Sequence, residues 1–368
     1  MKKLDYIDAL RGIAILGVIM VHTLQYGSSD VPNAIGKIIG MGSKGVQLFY
    51  LASAFTLFMS FSNRLSKENH PIKNFFIRRI FRIAPMYYIG IIYYLFQDGL
   101  GPRYWLGDQT RITAQNIMAN ATFVHGFNPY WINSLVPGGW SIGVEMSFYA
   151  VLPFLFSKIK NTNQAFVFFV VSIVLQLVLN IAFTRFPLIG FDRLWNEYLF
   201  FYFPSQLPIF ALGILFYFLV DDNTSVRTIS GKPALLLFGL VMGRIATGFE
   251  YLLPNHILFG MGFLVFAFVL SKYRFKLVVN PIINHIGKIS FSMYLVQFAV
   301  FHWLVYFNAI DYFTNGSLNF MARFFVVVAS TAALSTLFYA MIEVPMQNLG
   351  KALIARMEKK PVQIAVVS

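Results

Sequence analysis

The 368-residue sequence has no cysteine, which excludes disulfides, thiolate metal sites and a cysteine nucleophile at once. Charge is nearly as scarce. Asp, Glu, Lys and Arg together make up 12% of the chain, against about 25% in soluble domains, and this excludes an ordinary soluble protein. Acidic residues are the rarer kind, 15 against 29 basic ones, for a net charge of +14. Repeats, low-complexity tracts and linkers are absent too, so one domain is expected over residues 1–350, followed by a basic cytoplasmic tail over 351–368. The marks of a removable signal peptide are missing: Arg11 interrupts the apolar run after Lys2 and Lys3, and no small-residue cleavage site follows. His70, His125, His256, His285 and His302 stand singly, with no metal-ligand spacing, so no metal is expected.

What the chain has in abundance is apolar bulk. It is 57% hydrophobic and carries 41 Phe and 19 Tyr, the residues of lipid-facing surfaces and interfacial belts. Stretches near the length a bilayer demands fall at 7–25, 45–62, 83–99, 139–157, 164–184, 201–220, 233–249, 256–270, 282–305 and 319–343. The spacing predicts an all-α, polytopic integral membrane bundle of about ten transmembrane helices. With the N-terminus in the cytoplasm, nineteen Lys and Arg fall in cytoplasmic segments and seven in outer ones, which also puts the C-terminus in the cytoplasm. The basic excess then marks topology, and no nucleic-acid partner is expected. The longest outer segment, about 100–138, carries Tyr130, Trp131 and Pro137-Gly138 and is expected to fold back over the membrane face.

Against this apolar background a few polar residues are conspicuous. The first span, 7–25, holds Asp8, Arg11 and His22. An ionisable group at membrane depth is costly and is a functional-site hypothesis by default. Eleven residues make almost three helical turns, so Arg11 and His22 share one face, roughly 16 Å apart along the axis. Glu145 lies early in the fourth span, at an expected depth near that of His22. The pair reads either as a general base with an orienting carboxylate or as a polar lock between helices. Arg78, Arg79 and Arg82 precede the third span; they are phosphate ligands or topology determinants at the headgroups. Lys288, Ser290, Ser292 and Tyr294 bring polar atoms into the ninth span, where serine ordinarily serves close helix packing.

With these residues in view, the chain resembles the acyltransferase 3 family of integral-membrane acyltransferases nearly end to end. The first-helix signature of arginine, ten residues, histidine is Arg11 to His22. GVQLFYLASAFTLF is similar to the family's second helix, with Ser53 kept and Ala54 where glycine is usual. Arg79-Ile80-Phe81-Arg82 matches the arginine pair, and Trp140-Ser141 with Glu145 matches the fourth helix. GKISFSMYL and IEVPMQNL follow in order, with Gln297 where many members have histidine.

The resemblance implies a membrane O-acyltransferase that moves an acyl group, acetyl foremost, from cytoplasmic acyl-CoA to a hydroxyl of an extracytoplasmic carbohydrate such as O-antigen, capsule or exopolysaccharide. It implies His22 as general base with Glu145 orienting it, and Arg11, Arg79 and Arg82 as ligands of acetyl-CoA. Asp8, Ser53, Trp140, Ser141, Ser290 and Tyr294 become candidate supporting residues. The expected location is a bacterial cytoplasmic membrane, with acyl-CoA as a donor substrate and no permanently bound cofactor. Some members carry an added hydrolase-like domain outside the membrane; none is expected here, so the chain acts on the acceptor directly or passes the acyl group to a separate partner. The competing reading from another class is a transporter or flippase exporting a glycan or small molecule, although no inverted repeat supports it.

Overall fold

The computed structural model describes residues 4–28, 30–220, 230–250, 252–273 and 275–358. All regular structure among these residues is helical. In chain order the α-helices are α1 (Asp5–Gln25), α2 (Asn33–Met41), α3 (Gly45–Leu65), α4 (Pro71–Asp98), α5 (Ala114–Ala121), α6 (Gly139–Lys158), α7 (Thr162–Arg185) and α8 (Asp192–Phe201). They continue with α9 (Phe203–Val220), α10 (Gly231–Thr247), α11 (Asn255–Lys272), α12 (Pro281–Lys288), α13 (Ser290–Tyr306), α14 (Gly316–Phe338) and α15 (Val344–Glu358).

Every one of the ten apolar stretches is helical, but they differ in reach. Among the described residues, seven helical stretches are long and apolar enough to cross a bilayer, and an eighth qualifies if the bent pair α12–α13 counts as one span. The other two have physical reasons to fall short. α10 has 17 residues, about 25 Å at 1.5 Å per residue, under the roughly 30 Å hydrocarbon core. α4 is long, but its first twelve residues hold Lys73, Arg78, Arg79 and Arg82. Lys2, Lys3, Arg227, Arg274 and residues 359–368, which carry part of the expected charge asymmetry and most of the basic tail, lie outside the described residues.

α1 runs through the middle of the bundle, against α3, α11, α12, α13 and α14. Its closest neighbour is α12, and glycine permits the approach. A Cβ on Gly287 would sit 1.8 Å from the Asp8 carbonyl oxygen, and one on Gly12 would sit 2.4 Å from that of Ile283. The GK of GKISFSMYL is therefore a helix-crossing point. The chain then bends by 78° between α12 and α13, at Ile289. α9 packs between α3 and α7 and completes the core. Large apolar side chains such as Ile92, Phe96, Val178 and Phe238 point outward, as lipid-facing residues do.

The long segment after α4 packs apolar residues into the protein. Leu106, Ile112, Ile132, Leu135 and Val136 are buried, and Asn116 and Asn120 bond to each other within α5. His125 is also wholly buried: its Nε2 lies 3.0 Å from the Gly139 carbonyl and 3.4 Å from the Tyr87 hydroxyl. This histidine clamps the start of α6, a role its isolated position in the sequence does not reveal.

Candidate active site

Three cavities follow one another along α1. The first, about 410 Å³, opens where α1 begins, and Asp8, Arg11, Arg79 and Arg82 line it with Arg64. Arg78 does not join them. It makes a two-point ion pair with Glu68, at 2.8 and 3.0 Å, in the turn before α4. Burial pulls the Glu68 carboxyl upward, but hydrogen bonds from Arg78 and Asn74 and the charges of Arg78 and Arg64 outweigh it and hold the group low. The arginine triplet thus divides into one structural member and two that face a cavity. The Nε of Arg79 is buried without a partner, so this guanidinium still has donor capacity for a ligand.

The second cavity is the narrow centre, about 70 Å³, and it shares Arg11, Thr56, Arg79 and Arg82 with the first. Arg11 donates to the Thr56 hydroxyl at 3.0 Å. Glu145 sits here, accepting from Ser53 at 2.5 Å and from Tyr149 at 2.6 Å. It lines this space together with Arg11 and Arg79. Ser141 donates to the Gly138 carbonyl and to Tyr294, whose hydroxyl also reaches Gly138 at 3.1 Å. Ser290 lines the same space at the break before α13.

The third cavity, about 540 Å³, shares Val46 and Tyr294 with the centre and lies where α1 ends. His22 lines it. The imidazole Nδ1 is 2.9 Å from Gln25 Oε1, and the ring packs on Phe298 with centroids 4.7 Å apart. With the amide oxygen as acceptor, Nδ1 carries the proton and Nε2 keeps its lone pair. Trp105, Trp140 and Phe201 supply broad aromatic walls.

One expectation is corrected. His22 and Glu145 do not pair; they occupy different cavities. Gly138 and Trp140 at the start of α6 share the third cavity with His22, whereas Glu145 lies five residues beyond Trp140, about 7.5 Å deeper along the helix. Gln25 takes the orienting place next to the histidine, and it stands three residues on along the same helix face, a relation the sequence does display. Tyr149, four residues after Glu145, is similarly visible in spacing. Two other contributors are not. Arg323 is fully buried in α14 and caps the far end of α1, donating to the carbonyls of Thr23 and Tyr26 next to His22 and also to Asp311. Glu343 is buried in a π-helical turn, Tyr339–Glu343, and accepts from Ser292.

The acyltransferase-domain pattern of the acyltransferase 3 type matches residues 4–340. The chain belongs to the acyltransferase 3 family. Its relatives extend widely. A Caenorhabditis elegans protein named "Regulator of hypoxia-inducible factor 1" is 23% identical over 95% of this chain and 80% of its own length. Two Staphylococcus aureus proteins, from strains COL and N315, each named "Putative O-acetyltransferase", are 25% identical over 95% of this chain and 58% of theirs. The chain therefore spans little more than half the length of the staphylococcal relatives. No solved structure matches it. Family membership and seven membrane-length apolar helices make this a multi-pass membrane protein.

Proposed function

We propose that this acyltransferase 3 protein is a membrane O-acyltransferase that transfers an acetyl group from cytoplasmic acetyl-CoA to a hydroxyl of an extracytoplasmic carbohydrate. The observation that carries the reading is the run of adjoining cavities with cations at one end and a histidine at the other. The anionic nucleotide end of the donor suits Arg79 and Arg82, because guanidinium forks bind phosphate oxygens in charge-assisted pairs. The narrow centre suits an extended pantetheine arm, with Arg11 and the Glu145 network as its polar wall. The wide aromatic cavity suits a sugar acceptor.

The step then balances simply. His22 Nε2 takes the proton of the acceptor hydroxyl as its oxygen attacks the thioester carbonyl. The C–O bond forms, the C–S bond breaks, and the thiolate receives the proton from the imidazolium. Gln25 holds the tautomer this requires. A transporter reading has less support: the centre is about 70 Å³, far smaller than the cavities of about 410 and 540 Å³ on either side of it. The staphylococcal names agree with acetyl transfer, and a bacterial cytoplasmic membrane is the proposed location. The acceptor receives the group directly or through a separate extracytoplasmic partner.

The test is incubation of the purified protein with radiolabelled acetyl-CoA and envelope glycans. Alkali-labile label in the glycan fraction is the expected result. Unlabelled glycan alongside intact acetyl-CoA, from protein that is folded by size exclusion, contradicts the proposal.

A further inference from the structure

Two cations line the histidine cavity, Arg103 and Lys44, and the transfer chemistry uses neither. Three charged side chains line it besides His22: Asp98, Arg103 and Lys44. Asp98 and Arg103 are occupied with each other at 3.7 Å, and Arg103 also donates to the carbonyls of Ser134 and Gly99 at 3.1 and 2.6 Å. Lys44 differs. It is half-buried in the short turn Gly42–Lys44 before α3, its Nζ lies 5.3 Å from the centre of the Phe200 ring, and among the described residues it has neither an ion-pair nor a hydrogen-bond partner. The carboxylate that acts on it, Glu250, is engaged with Arg244 at 3.1 Å and Asn255 at 2.8 Å.

An ammonium without a counter-ion in an aromatic, partly dry cavity is costly, and a ligand anion relieves that cost. A second observation points the same way. Gln47, 1% exposed, lines the same cavity; its amide nitrogen donates to Gln206, while its Oε1 has no partner. A buried acceptor left open beside a bare cation is a combination that a sugar carrying a negative group satisfies completely: the anion meets Lys44 and a ring hydroxyl donates to Gln47.

We infer that the acceptor is an acidic saccharide, with its carboxylate or phosphate bound by Lys44 and a hydroxyl held by Gln47, so that a neighbouring hydroxyl is offered to His22. The inference rests on the transferase reading for the role of His22, but the recognition of an anionic sugar stands on this cavity alone.

The experiment titrates the purified full-length protein with methyl glucoside, glucuronic acid and glucose 6-phosphate and follows tryptophan fluorescence, since Trp105 and Trp140 line the cavity. The two acidic sugars should half-saturate at concentrations at least tenfold below the neutral one, and the tighter of the two identifies carboxylate or phosphate as the preferred group. Lys44→Met should erase that gap, and Lys44→Arg should keep it. Equal half-saturation by all three sugars, a gap that survives Lys44→Met, or no saturable signal from any sugar would overturn the inference. Acidic-sugar binding without acetyl transfer would instead sink the transferase reading and leave this one standing.

Discussion

At the scale of single residues, the structure separates groups that sequence alone treats alike. Arg78, Arg79 and Arg82 are three cations in five positions, yet only the last two face the cavity where α1 begins. Arg79→Gln and Arg82→Gln should each raise the KM for acetyl-CoA roughly 10- to 150-fold, the effect of losing a charge-assisted hydrogen bond of ~1.5–3 kcal/mol. Arg78→Gln should leave that KM unchanged and lower thermal stability instead; steady-state kinetics and a melting curve distinguish the two outcomes. Gln25→Leu should lower kcat about tenfold with little change in the donor's KM, because the imidazole then loses the partner that fixes its tautomer. The Arg11–His22 spacing was fully legible, since helical periodicity places residues on a face without any tertiary knowledge. Gln25 and Tyr149 also stand at helical spacing from His22 and Glu145, and α6 begins where the sequence puts it. The relative depth of Glu145 and His22 was not legible, because it depends on how α6 is staggered against α1, which packing sets.

At the scale of elements, the fold depends on two contacts that hold α1 in place. One is its crossing with α12. Gly287→Ala forces a methyl group into the Asp8 carbonyl and should destabilise the protein by ~1–3 kcal/mol, measured as a lower melting temperature in detergent. The other is the Arg323 cap on the end of α1, whose loss should misplace His22 as well as soften the helix end. The turn before α4 adds a pH-sensitive contact. Glu68 is held low in the folded protein, so its contribution is complete above its unfolded value and is lost as pH falls through the folded one. Faster amide exchange in residues 66–74 as pH drops below about 4.5, after correction for intrinsic rates, is the expected sign. Glu358 accepts from the backbone N–H groups of Asn69 and His70 on the same turn and is also held low, so Glu68→Gln should reduce the pH dependence and Glu68→Gln with Glu358→Gln should abolish it. The ten helical stretches were readable because long apolar runs are strong signals. The bend at Ile289 and the π-helical turn at Tyr339–Glu343 were not, because both are set by neighbours that the local sequence does not encode.

At the scale of the whole molecule, the three cavities turn a helical bundle into a device with two unlike ends. One end collects cations on α1, α3 and α4; the other collects aromatic rings around a histidine on α1 itself. α1 joins them, which is why a single-helix signature was so informative about the site. The central claim is that donor and acceptor approach from opposite membrane faces and meet at His22. Its most direct test uses proteoliposomes of defined orientation, with radiolabelled acetyl-CoA supplied only on the face bearing Arg79 and Arg82 and a glycan acceptor only on the other. The account predicts alkali-labile label on the trans acceptor with the wild-type protein and none with His22→Ala at equal incorporation. Label confined to acceptor on the same side as acetyl-CoA, or undiminished transfer by His22→Ala, would contradict it.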